Sequence, residues 1–310
     1  MSRRSIVIEV LDEFLSDDCT RFAAAISYYA VFSVPAILAL AALALGLFLG
    51  PGELEQTILE SVSFVVSEQA AEAVEPVLRR VEDPLSGGPL SWALAGLALV
   101  FGATGAFMQV QAALNRAWYV QPAGGTIRSF FVKRVSSFLL LSALAILLLA
   151  ALGSSAVILS AGREIADRFV DPIGEGAMIA LDLAVSLGVL TLLFGAVLWW
   201  LPDAEIDWKD VVGGALGTAL LFWVGKSAIA FYLSTTTPAR AFGVAGSLAL
   251  FLLWIYYTAI LLLLGAEWTQ VRARRSGRPI RPSEGAALTP RGRQRARDDE
   301  RERNDPSDRP

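Results

Sequence analysis

The chain has 310 residues, 55% hydrophobic and 18% charged, with a mean hydropathy of +0.54. A soluble globular domain is nearer about 45–50% apolar and about 25% charged, so the composition points to a membrane. There is no histidine and one cysteine, Cys19. This excludes His-ligated metals, Ser-His-Asp and Cys-His nucleophile systems, an intramolecular disulfide, and Cys-only zinc or iron–sulfur centres. The formal charge of −4 averages over strongly segregated segments.

A transmembrane helix needs about 20 predominantly apolar residues. Uncharged runs lie between Arg21 and Glu53, Asp83 and Arg116, Arg134 and Arg163, and Asp182 and Asp203. Two more lie between Asp210 and Arg240, broken once by Lys226, and between Arg240 and Glu267. They predict six spans, near 30–49, 90–110, 136–159, 183–201, 211–233 and 242–266. The runs are continuously apolar, unlike the alternating strands of a membrane β-barrel. The expected fold is an all-α integral membrane protein with six transmembrane helices and amphipathic interfacial helices.

Residues 1–21 read as an amphipathic juxtamembrane helix. Ile6, Val7, Val10, Leu11, Phe14 and Leu15 recur at helical spacing, and Glu9, Asp12, Glu13 and Asp17 mark the other face. Such a helix is expected to lie along the membrane surface. It carries five acids and does not resemble a cleaved signal peptide. The transmembrane domain then covers 22–268, with an external acidic segment at 50–89. Residues 269–310, rich in Arg, Pro and Asp, are expected to be a disordered cytoplasmic tail.

Lys and Arg fix the expected orientation. Segments on one side hold 20 of the 26 basic residues, including twelve arginines of the tail, and those on the other side hold five. Both termini therefore face the cytoplasm. Trp118, Tyr119, Trp199, Trp200, Trp208 and Trp268 fall near the inner boundary, as an aromatic belt should.

Three stretches carry a family resemblance. The first is Ala23-Ala24-Ala25-Ile26-Ser27-Tyr28-Tyr29-Ala30-Val31-Phe32-Ser33-Val34-Pro35. The second contains Ala112-Ala113-Leu114-Asn115-Arg116-Ala117-Trp118. The third runs from Leu201-Pro202-Asp203 through Trp208-Lys209-Asp210-Val211, Gly246-Ser247-Leu248 and Trp254-Ile255-Tyr256-Tyr257 to Gly265-Ala266-Glu267. In order and spacing they resemble the YihY/BrkB family of bacterial inner-membrane proteins over about residues 5–270. One departure is Pro35, which many relatives place one residue later. The resemblance implies a polytopic, permease-like protein of the bacterial cytoplasmic membrane. Some members carry an old ribonuclease label. The lack of histidine and of an acidic cluster in a soluble domain speaks against it here.

The candidate substrate path consists of Lys226, Trp254, Tyr256, Tyr257, Gln111 and Asn115. Lys226 is the one ionisable residue inside a span. An intramembrane cation marks a substrate or ion pathway, or its stem snorkels to the interface. A mid-span tyrosine facing lipid would leave its hydroxyl unsatisfied, so Tyr256 or Tyr257 should point into the bundle. Gln109, Gln111 and Asn115 are interhelical hydrogen-bonding amides or path residues. Gly213, Gly214 and Gly217 read as close-packing positions, and the Gly102–Gly105 turn as packing or a helix break. Boundary and structural motif positions are Tyr28, Tyr29, Pro35, Trp118, Pro202, Asp203, Gly246 and Glu267. Glu267 is expected to pair with Arg116 or Arg134, and Cys19 to be an inert, partly buried thiol. The sequence places no second ionisable residue inside a span, which speaks against a proton relay.

The expected function is translocation of an amphiphilic or anionic substrate, including lipid. No catalytic, cofactor or metal site is expected. The expected partners are membrane lipids, with no nucleic acid. The alternative is a non-transporting scaffold that binds envelope partners through the acidic external segment and the basic tail.

Overall fold

The structure, a computed structural model, describes residues 5–31, 105–123, 172–235, 238–278 and 281–304, with 56, 59 and 75 as isolated helical positions. The expected spans 30–49, 90–110 and 136–159 and the segment 50–89 lie mostly or wholly outside the described residues, as do Pro35 and Arg134.

Helix α1 (Ile6–Ser16) ends where Asp17 donates its backbone N–H to the Glu13 carbonyl. Asp18 then adopts the left-handed conformation, φ 56°, which Asp tolerates. This turns the chain into helix α2, residues 19–31. Helix α3 covers residues 105–117. A Cβ on Gly105 would lie 2.7 Å from the Tyr29 ring, so α2 and α3 meet where no side chain intervenes. Strand β1 (Val120–Pro122) follows.

Three long helices come next: α4 (Pro172–Trp200), α5 (Trp208–Thr235) and α6 (Pro238–Arg275), with strand β2 (Ala204–Glu205) in the first connection. At 1.5 Å per residue each exceeds the roughly 30 Å hydrocarbon core. Stretches of α5 and α6 have mean hydropathies of 1.4 and 1.6 and are long and apolar enough to cross a membrane.

The helices pack as successive antiparallel neighbours. Gly214 of α5 faces Gly265 of α6, Leu221 faces Tyr257, and Phe222 faces Trp254. On α4, Phe194 meets Phe222, while Trp199 meets Trp208. A Cβ on Gly214 would lie 2.5 Å from the Gly265 carbonyl oxygen, so small residues set this crossing. Helix α5 buries Val211, Ala215, Thr218, Ala219 and Phe222 and exposes Val212, Leu216, Leu220, Trp223 and Val224. An apolar exposed stripe opposite an apolar buried one is what lipid on one side and protein on the other select.

The C-terminal residues correct the sequence reading. Residues 269–275 continue α6, whose last turn carries Arg272, Arg274 and Arg275, favourable charges at a helix C-terminus. Gly277, φ 71°, stops it: Arg278 N–H reaches the Ala273 carbonyl and Gly277 N–H that of Arg274. Strand β3 (Arg281–Pro282) pairs antiparallel with β2, and β4 (Ala286–Leu288) pairs antiparallel with β1. Thr289 caps helix α7 (Pro290–Asn304), its hydroxyl accepting the Gly292 N–H, with Pro290 at the first helical position. The expectation of disorder counted apolar residues. These segments are held instead by backbone pairing and by arginines that meet buried carboxylates.

Candidate functional site

Two clusters gather the polar chemistry of the described residues. The first lies along the α4–α5–α6 seam. Trp254 is buried, with its ring 5.2 Å from Phe222 and 6.2 Å from Tyr257. Tyr257 donates its hydroxyl to the Leu221 carbonyl of α5 at 2.9 Å, so it points into the bundle. Its ring lies against Gly225, where a Cβ would collide with it. Lys226 is half-buried and one helical turn beyond Phe222. It therefore falls on the buried face of α5, not on the exposed Val212–Leu216–Leu220 stripe. Tyr256 is half-buried against the core.

The second cluster caps the end of the bundle at the α4–α5 connection. Asn115 of α3 and Asp203 hold each other: Asn115 Nδ2 donates to Asp203 Oδ2 at 3.0 Å, and the Asp203 N–H donates to Asn115 Oδ1 at 2.7 Å. The structure thus places Asn115 in an interelement clamp away from Lys226. Gln111 is half-buried on the preceding turn of α3. Pro202 is buried beside the clamp. Trp118 and Tyr119 are buried as well, so they do not stand in a lipid-facing belt. Trp199, Trp200 and Trp208 are exposed and stacked edge to face. Tyr28 and Tyr29 are exposed and make an edge-to-face pair.

Helix α1 turns Glu9 and Glu13 inward and leaves Asp12, Val7, Ile8, Leu11 and Leu15 exposed. Glu9 meets Arg274 and Arg275. Burial works against the Glu9 carboxylate, but hydrogen bonds and charge from Arg275 and Arg274 outweigh it and lower its pKa. Glu13, 4% exposed, receives Arg295 of α7 and the Tyr119 hydroxyl, the latter at 2.7 Å. Tyr119 has φ 51°, an uncommon conformation for a bulky residue. It is held by that hydroxyl, by Thr289 N–H on its carbonyl at 2.8 Å, and by the Arg295 guanidinium 5.1 Å above its ring. Burial and the Glu13 bond raise the Tyr119 pKa. Asp17 is fully buried, and both Arg116, at 3.2 Å, and Arg291, at 3.4 Å, meet its Oδ1. Burial raises the Asp17 pKa, with Arg116 offsetting part of the effect.

Glu267 is fully buried, and the expected Arg116 is not its partner; Arg134, the other expected partner, lies outside the described residues. Cys19 donates its thiol to Glu267 Oε1 at 3.5 Å, and Arg116 is drawn to Asp17. Cys19 is fully rather than partly buried, and burial raises its pKa. Glu267 and Cys19 come together across 248 residues of sequence, a proximity no local pattern signals. Among the described residues no group of His, Cys, Asp and Glu forms a metal site.

Long helices with apolar outward faces, and buried charges collected at one end, define a helical membrane protein. The chain belongs to the Virulence factor BrkB family, whose family model matches residues 10–288. It is similar to the UPF0761 membrane protein of Nitrosospira multiformis, 23% identical, covering 83% of this chain and 58% of the relative. A UPF0761 membrane protein of Pseudomonas paraeruginosa is 29% identical, with 82% of this chain and 59% of the relative covered. A Bacillus subtilis relative named as ribonuclease-like, YfkH, is 26% identical over 68% of this chain and 75% of its own length. The chain thus spans about three-fifths of the length of the UPF0761 relatives. No solved structure matches the chain.

Proposed function

We propose that this protein is a six-span translocase of the bacterial cytoplasmic membrane, with both termini inside, that moves an amphiphilic or anionic substrate such as a lipid. The observation that carries the reading is Lys226 on the buried face of α5, one turn beyond the Phe222–Trp254–Tyr257 stack. A cation on an inward face within an apolar helix suits a path for a phosphate or carboxylate headgroup. Apolar rings beside it suit an acyl chain. Six spans and the inside location of both ends follow from the uncharged runs and the basic-residue bias. The bundle acts on lipid without catalysing a reaction and without nucleic acid.

A scaffold needs no aqueous route to Lys226, whereas a translocase does. In a Cys19→Ala background, Lys226→Cys should react with a water-soluble, membrane-impermeant thiol reagent. Reaction with lipid-soluble reagents alone would turn the reading to a scaffold.

A further inference from the structure

Glu267 lies just beyond the apolar run of α6, fully buried, and among the described residues only one of its two oxygens has a partner. Oε1 accepts the Cys19 thiol, and Oε2 makes no hydrogen bond. Two other buried oxygens in this layer are equally orphaned, Asp17 Oδ2 and Gln270 Oε1. Gln270 is three residues beyond Glu267 and so on the same side of α6. Asp17 is two residues from Cys19, and its charge acts on Glu267. Buried polar atoms are almost always satisfied, and three acceptors cannot satisfy one another.

Among the described residues the surrounding charges leave no cation to spare. Glu13 of α1, Asp17 of the α1–α2 turn and Arg295 of α7 act on Glu267 by charge, and Cys19 meets it from α2. Arg295 is engaged by Glu13. Arg116 of α3 and Arg291 of α7 both meet Asp17 Oδ1. On α5 the buried Asp210 is engaged by Arg278. Among the described residues no arginine or lysine bonds Glu267. Asp17 has two guanidinium partners and is the charged member of the pair. A proton on Glu267 converts an orphan acceptor into a donor and leaves one anion instead of two.

We propose that Glu267 is a proton-binding site, whose Oε2 holds a proton at neutral pH and donates it to the orphaned oxygen of Asp17 or Gln270. Loss of that proton puts a second anion beside Asp17 and weakens the hold of α1 and α2 on α6. The inference stands apart from the translocation reading and needs no substrate.

Infrared spectra of the full chain in detergent test it. Exposed carboxyls ionise near pH 4, so a protonated-carboxyl C=O band surviving at about pH 7 reports a buried one. The band is expected in the wild type and absent from Glu267→Gln. No such band in the wild type, or a band unchanged in Glu267→Gln, overturns the proposal. Should Glu267→Gln fail to fold, Cys19→Ala decides. Removing the thiol strips the hydrogen bond from Oε1, so the band must shift, and an unshifted band assigns the proton elsewhere.

Discussion

Asn115 and Asp203 close a two-bond ring across 88 residues, the amide giving one hydrogen bond and taking the other. Asn115 is 7% and Asp203 8% exposed, so water cannot replace what is lost. Hydrogen bonds to a charged group are worth about 1.5–3 kcal/mol, and a buried orphan costs more than a missing pair. Asn115→Ala is expected to lower stability by about 2–3 kcal/mol in thermal or denaturant unfolding. Asn115→Asp sets two carboxylates face to face and should cost more. Equal stability of wild type and Asn115→Ala would remove the clamp from the account.

Gly214 and Gly217 are three residues apart on α5 and predict opposite outcomes. A Cβ at Gly214 meets the Gly265 carbonyl and the Thr269 hydroxyl, whereas one at Gly217 meets nothing within 4 Å. Gly214→Ala must push α5 from α6 and should lower the melting temperature sharply. Gly217→Ala should be neutral or stabilising by up to about 1 kcal/mol, because it removes unfolded-chain entropy. Similar effects at both positions would argue against this helix crossing.

The long helices were legible because lipid demands uninterrupted apolar runs, and Trp208–Thr235 encloses the expected 211–233. The inward turn of Tyr257 was legible in kind, since a mid-span hydroxyl has few places to go. The capping layer was not. Arg295 stabilises Glu13 from 282 residues away, and an arginine-rich segment looks the same whether solvated or folded onto acids. Glu267 was assigned a cation partner by charge alone. The fold gives Arg116 to Asp17 and sets a thiol against Glu267.

Helix α7 should be strapped to α1 through Glu13 and Arg295. A double-mutant cycle between Glu13→Gln and Arg295→Ala is expected to show coupling near the lower end of about 1.5–3 kcal/mol, since Arg295 is 38% exposed and partly screened. Gly292→Ala should loosen the same contact, because a Cβ there would lie 2.8 Å from the Tyr119 carbonyl oxygen. Limited proteolysis should then cut α7 first. Zero coupling and unchanged proteolysis would mean that α7 is not a strap.

Cys19 gives a dependence on alkaline pH. Its folded pKa is raised above the ordinary 9.0, chiefly by burial. The folded chain therefore keeps the thiol proton that the unfolded chain loses. The contribution is fully present below pH 9.0 and declines as pH rises above it. Wild-type stability should fall between about pH 9 and pH 11 more steeply than that of Cys19→Ala. At about pH 8 the folded thiol should resist alkylation that proceeds readily after unfolding. A reactive thiol in the folded chain would contradict its burial.

The most direct measurement of the proposed activity is lipid movement between leaflets of reconstituted vesicles. Labelled anionic and zwitterionic lipids would be followed with wild type, Lys226→Met and protein-free vesicles. Fast movement with the wild type, lost in folded Lys226→Met, is the expected result. Movement no faster than in protein-free vesicles, from wild-type protein shown to be folded, would contradict lipid translocation.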